Sequence, residues 1–94
     1  MKAYWIAHVE VTDSETYGKY AQLATQAIEE HGGKFLARGG RYELLEGSVK
    51  PRNVVAEFPS MEDALACYHS ESYAKALNFS RRSSQRDVMI LEGI

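Results

Sequence analysis

Three side chains of types that do chemistry share one strand parity: His8, Arg38 and Glu57. A histidine beside a carboxylate has its tautomer fixed and its basicity raised, which suits a general base working near neutral pH. An arginine offers a planar two-pronged donor that grips a substrate carboxylate or enolate. His8 and Glu57 are therefore the candidate catalytic pair, and Arg38 the candidate anion holder. The competing account is a buried network of ion pairs and hydrogen bonds that orders an interface. Tyr4, Tyr17, Tyr20, Tyr42, Tyr68 and Tyr73 form a second set, whose hydroxyls can orient a phenolic or carbonyl ligand. The helical spacing of Tyr17, Tyr20 and Tyr68 favours core packing with a hydrogen-bonded tip. Tyr4 and Tyr42 are the candidate substrate contacts.

Other chemistries find less support. Arg81, Arg82 and Arg86 stand among Ser80, Ser83, Ser84 and Gln85. This stretch reads either as an anion-gripping loop or as a solvated connection, and loops are ordinarily polar, which favours the second. His8, His31 and His69 fall on different elements with no pair at ligand spacing, so no metal site is expected. Cys67 is the only cysteine, which excludes an intrachain disulfide and a Cys-rich zinc site. It is expected to pack as a small apolar group, with His69 on a diverging helix face. Gly39-Gly40 lacks the spacing and following helix of a nucleotide loop, and no cofactor is expected. The net charge of -2, without aromatic–basic interleaving, argues against nucleic acid or a membrane surface as partner. The longest apolar runs fall far short of the roughly 20 residues that span a bilayer, and no secretory leader pattern opens the chain. The expected location is cytoplasmic.

The elements that must position these residues follow from periodicity. The 94 residues, 45% hydrophobic and 26% charged, suit one globular domain over 1–94. Residues 3–11 alternate, with Ala3, Trp5, Ala7, Val9 and Val11 on one face and Tyr4, Ile6, His8 and Glu10 on the other, as a strand does. Asp13 or Ser14 offers an N-cap to a helix with its apolar stripe at 17, 20, 21, 24, 27 and 28. Gly18 costs that helix about 1 kcal/mol relative to Ala, and Gly32-Gly33 ends it. Lys34 to Glu46 reads as extended chain interrupted at Gly39-Gly40, by either a hairpin turn or a bulge that bends one long strand. The bend is preferred, because Gly47–Pro51 already resembles a hairpin loop. Residues 53–58 return as a strand. Ser60 caps a second helix with Met61, Ala64, Leu65 and Tyr68 buried. Ser70 caps a short further helix with Tyr73, Ala76 and Leu77. Residues 80–86 connect to a last strand at Val88–Leu91.

This order predicts an α+β sandwich, with helices on one face of an antiparallel sheet. The other face would carry Tyr4, Ile6, Leu36, Val55 and either Met89 and Leu91 or Val88 and Ile90. That much contiguous apolar surface is unusual for a monomer, so a two-fold partner is expected over it. His8, Arg38 and Glu57 would then line the space between subunits.

Several segments together resemble the domain of unknown function thirteen-thirty family: Tyr4-Trp5-Ile6-Ala7-His8-Val9, Val11-Thr12-Asp13, Gly32 to Gly40, Leu45-Glu46-Gly47, Pro51 to Val55, Glu57-Phe58-Pro59-Ser60 and Leu91-Glu92-Gly93. The resemblance implies the dimeric α/β-barrel group, in which two ferredoxin-like sheets pack together. Relatives in that group include cofactor-free monooxygenases, muconolactone isomerases and haem-handling proteins. The family carries an arginine soon after the Tyr73 segment. Here the matching position is Ser80, with Arg81 and Arg82 adjacent.

Two functions compete. In one, the dimer is a cofactor-free enzyme on a small acidic or phenolic organic substrate, with His8 as base and Arg38 as anion holder. In the other, it is a non-catalytic ligand-binding or interaction module whose interior polar residues only order the dimer. One fold hosts many activities, so the fold alone does not choose.

Overall fold

The alternating first segment becomes strand β1 (Ala3–Val11) of the computed structural model, which describes residues 1–94. Asp13 then caps helix α1 (Ser14–Glu30), its side chain accepting from the Thr16 amide. The strands β2 (Lys34–Arg38) and β3 (Arg52–Phe58) follow. Ser60 caps α2 (Met61–Tyr68) and Ser70 caps α3 (Glu71–Ser83), each through an amide three residues on. β4 (Ser84–Glu92) closes the order. Every strand pairs antiparallel, in the spatial order β2-β3-β1-β4. This is the expected α+β, ferredoxin-like arrangement.

The core lies between the helices and one face of the sheet. Trp5, Val9, Phe58, Cys67 and Tyr73 are buried there, and the Trp5 and Tyr73 rings meet edge to face at 5.0 Å, a favoured aromatic geometry. The opposite face is open. Across it run three rows of paired residues: Glu57–Tyr4–Leu91, Val55–Ile6–Met89 and Asn53–His8–Asp87. The register thus puts Met89 and Leu91, not Val88 and Ile90, on the open face. Both remain about half exposed, at 53% and 52%.

Two expectations fail here. β2 does not run on to Glu46: it ends at Arg38, and residues 40–50 form no strand. The bend expected at Gly39-Gly40 lies earlier, as a register shift between Phe35 and Ala37. Gly39 instead turns the chain out of the sheet at φ +68, a conformation that glycine adopts without steric cost. Nor is 80–86 a connecting loop. α3 continues to Ser83, and β4 starts at the next residue. The polar stretch stays helical because its serines turn inward. Ser80 and Ser83 are buried and donate to the Leu77 and Phe79 carbonyls, the back-bonding open to a helical serine.

Candidate functional site

The structure does not bring His8, Arg38 and Glu57 together. His8 pairs with Asn53 on β3, and its Nδ1 lies 2.6 Å from Asn53 Oδ1. Glu57 pairs with Tyr4, four positions away along β1, a separation of about 13 Å. Its carboxylate is held by Lys2 Nζ at 2.9 Å, and that hydrogen bond keeps its pKa below the ordinary value. Arg38 is on the other side of the sheet. The bulge after Phe35 inverts the alternation, because one inserted residue exchanges the faces of all that follow. Arg38 Nη2 accordingly donates to Thr25 Oγ1 of α1 at 2.7 Å, and its guanidinium stacks over the Phe35 ring. Tyr4 sits on the open face beside Glu57 and Leu91. Tyr42 lies half exposed in the irregular segment after β2 and joins none of these groups.

A different constellation forms on the helix side. Between α1 and the sheet lies a mostly apolar cleft lined by Trp5, Ala7, Tyr17, Tyr20, Ala21, Ala24, Thr25, Ile28, Phe35 and Val54, and by three arginines, Arg38, Arg52 and Arg86. Counted out to its mouth it holds about 400 Å3 of empty space. Water centres fit in only about 30 Å3 of it, room for about two ordered waters. No carboxylate and no histidine is among the lining residues. The two salt bridges of the protein, Lys2–Glu57 and Lys50–Asp87, involve no arginine.

Each cation is placed by its element. Arg52 and Arg86 both pair with Val9, from the strands on either side of β1. They form one row on the helix face, about 10 Å apart at their Cα atoms. Arg86 donates through Nη1 to Tyr20 Oη at 2.6 Å and through Nη2 to Tyr73 Oη at 3.1 Å, and the two hydroxyls share a hydrogen bond at 2.8 Å. Burial pushes the Tyr73 phenol well above its ordinary pKa. Burial also raises that of Tyr17, assisted by Tyr20 and opposed by Arg86. Arg52 lies against Gly39, where a Cβ would collide with its Nη1. Its Nε–H is buried with no hydrogen-bond partner. An unpartnered buried donor on a cation is costly.

Arg52 does not stand out in the sequence as a site residue, since it falls just before the expected strand, and Arg86 is weighed there only within a stretch for which a solvated connection is favoured over an anion-gripping loop. A readable signal existed. Arg52 continues the parity of Val54, Ala56 and Phe58, and Arg86 that of Val88 and Ile90, so each puts a charge at the head of a core-facing row. Ser80 lines a hollow with Arg81 of α3 and Arg86 of β4, so cations from two elements stand near that position. Arg81 and Arg82 lie exposed in the last turn of α3, where cations suit the negative helix end.

The family model described as domain of unknown function (DUF1330) matches residues 2–94. The chain belongs to this family. No curated protein matches it. Among solved structures, a protein of unknown function from Rhodopseudomonas palustris superposes with a TM-score of 0.78 at 18% identity, covering 99% of this DUF1330 chain and 82% of its own. The cofactor-independent oxygenase SnoaB from Streptomyces nogalater superposes at 0.67 with 10% identity, over 99% of this chain and 93% of that one. A protein from Bacteroides fragilis described as dimeric, of unknown function and of ferredoxin-like fold, matches at 0.57 with 13% identity, over 98% and 96%. At such identities the likeness concerns the fold. No helix of the DUF1330 chain is long and apolar enough to cross a membrane.

Proposed function

We propose that this protein is a homodimeric small-molecule-binding protein that takes a small organic anion into the cleft between α1 and the sheet. The observation that carries this reading is the trio Arg38, Arg52 and Arg86 lining one apolar cleft with no carboxylate among them. Cations lodged against apolar surface without counter-charge are costly in isolation, and an incoming anion offsets that cost. Arg38 stands exposed among the lining residues, where an anion meets it on entry. The dimer rests on the open face, where Ile6, Val55, Met89 and Leu91 form an apolar centre between polar rows, and on the neighbour described as dimeric.

A catalytic version of the same reading needs a different base. His8 faces away from the cleft, so it does not serve a substrate held by Arg38, and Glu57 is engaged with Lys2. The cleft lining supplies no group that titrates near neutrality by its ordinary pKa. What the cleft does supply is a cationic field that favours an ionised phenol or enolate. A substrate acidic enough to ionise there would pass its own electrons to dioxygen without a cofactor, the class of chemistry named for the SnoaB neighbour, a cofactor-independent oxygenase. His8, with Asn53 and Asp87 beside it, would then face the space between the two sheets of the dimer.

Native mass spectrometry of the purified protein, with denaturing spectra of the same sample, tests this. A dimer carrying an acidic small-molecule mass that an R38Q/R52Q variant loses is the expected result. A monomer would overturn the dimer. Retention of a neutral or cationic molecule, or of the same acid by the double variant, would overturn the anion cleft.

A further inference from the structure

The cleft is polar at one end and apolar at the other, and this asymmetry restricts what it takes. The polar end is the Val9 row, with Arg52 and Arg86 on either side and Tyr20 above. The apolar end is the row of Phe35, Ala56 and Trp5, with Ile28 from α1 lining the cleft beside Trp5 and Phe35. Four positions of β1 separate Val9 from Trp5, about 13 Å.

Among the donors at the polar end that have no acceptor, two stand out. The first is the Arg52 Nε–H, buried without a partner. The second follows from the hydroxyl pair. Arg86 donates to both phenols, and one phenol donates to the other, so one phenolic hydrogen remains. Tyr73 is fully buried away from the cleft, whereas Tyr20 lines it. The arrangement that strands no hydrogen has Tyr73 donating to Tyr20, and the Tyr20 hydroxyl donating into the cleft. A cationic N–H and a phenolic O–H on two residues that line one cleft are matched by an acceptor with two oxygens and a negative charge.

Resting on the anion-binding reading above, we propose that the ligand is an amphiphilic monocarboxylate. Its carboxylate sits between Arg52 Nε and the Tyr20 hydroxyl, and its flat or branched apolar body extends toward Trp5, Ile28 and Phe35. Arg38 is exposed and already bonded to Thr25, so it closes the mouth over the body rather than binding the head group. The interior has room for about two waters, so Arg38 and the α1 side chains lining the cleft must give way on entry.

Trp5 is the only tryptophan, and it reports on the apolar end by fluorescence. The probes are benzoate, benzyl alcohol as its neutral counterpart, acetate as the anion without a body, and 2- and 4-iodobenzoate as short-range quenchers. Benzoate should bind about tenfold or more tightly than either acetate or benzyl alcohol, the ratio expected for losing a charged hydrogen-bonded contact or the apolar body. The 4-iodo compound should quench Trp5 and the 2-iodo compound much less. R52Q should weaken benzoate about tenfold or more while retaining the circular dichroism spectrum of the parent. Acetate binding as tightly as benzoate would overturn the amphiphile while leaving the anion cleft standing. Benzyl alcohol binding as tightly as benzoate would overturn both. Stronger quenching by the 2-iodo compound would reverse the orientation and overturn it, as would unchanged benzoate binding in R52Q. Because R52Q keeps the Gly39 contact region polar, a Y20F variant provides a second test. It should also lose benzoate affinity, and full affinity in Y20F would overturn the Tyr20 half of the head-group assignment.

Discussion

Removing the Tyr73 hydroxyl should destabilise this protein more than removing the Arg86 charge. Tyr73→Phe keeps the ring, fully buried against Trp5, and deletes an oxygen that meets Arg86 Nη2 at 3.1 Å and Tyr20 Oη at 2.8 Å. Arg86 stays charged and loses a partner. Hydrogen bonds to charged groups contribute about 1.5–3 kcal/mol, so a cost of about 2 kcal/mol is expected, or a melting temperature lower by about 10 °C for a domain of this size. Arg86→Met also breaks two hydrogen bonds and removes a cation stacked 4.6 Å from the Tyr20 centroid. It removes the buried charge itself as well, and Tyr20 and Tyr73 keep the bond between them. Replacing a buried polar charge by an apolar side chain of similar length is often near neutral, so the expected cost is about 1 kcal/mol or less. Urea titrations followed by circular dichroism give both values, and benzoate titration should rank the variants the other way, with Arg86→Met binding the weaker. The double variant should cost less than the sum of the two, because both act on one network. Arg86→Met proving more damaging than Tyr73→Phe would refute the reasoning and make the guanidinium a structural strut.

Gly39→Ala should cost about 1–2 kcal/mol for the left-handed backbone, since φ is +68 there, and should weaken anion binding because the new Cβ displaces the Arg52 guanidinium; thermal melts and benzoate titration read the two effects separately. Gly18→Ala should stabilise by about 0.5–1 kcal/mol, because Gly18 is an exposed site inside α1 with nothing near its missing Cβ; no rise in urea midpoint would contradict this. Burial pushes the Cys67 thiol up to about 12, so a disulfide reagent at pH 8 should label it only on the timescale of unfolding. Burial raises Tyr17 and Tyr73 in the same direction. The folded chain therefore retains protons that the unfolded chain releases, and stability should fall as pH rises above about 9, as urea midpoints between pH 8 and 10 would show.

Much of the fold was legible in the residues. The alternation of β1, the caps Asp13, Ser60 and Ser70, and the stripe of α1 are local patterns, and each depends on neighbours within a few positions. The existence of an apolar face with no helix over it also followed from strand parity and the number of helices. The end of α3 was not legible. Residues 80–83 are polar, and only the burial of Ser80 and Ser83 in the folded chain makes them helical rather than a loop.

The candidate site depended on the tertiary structure at one residue. Parity assigned Arg38 to the face of His8 and Glu57, and a bulge between Phe35 and Ala37 moved it to the other. Nothing local marks that bulge: Phe35-Leu36-Ala37 is an ordinary apolar run, and the slip becomes visible only when β3 lies alongside. Strand register likewise separates His8 from Glu57, since pairing is set by contacts between segments some fifty positions apart and not by either segment alone. Local patterning alone dictates that cationic, aromatic and apolar groups alternate on this sheet. Which of them meet was decided by the packing of α1 onto the helix face, where Arg52, Arg86 and Tyr20 come from three separate elements to one end of a single cleft.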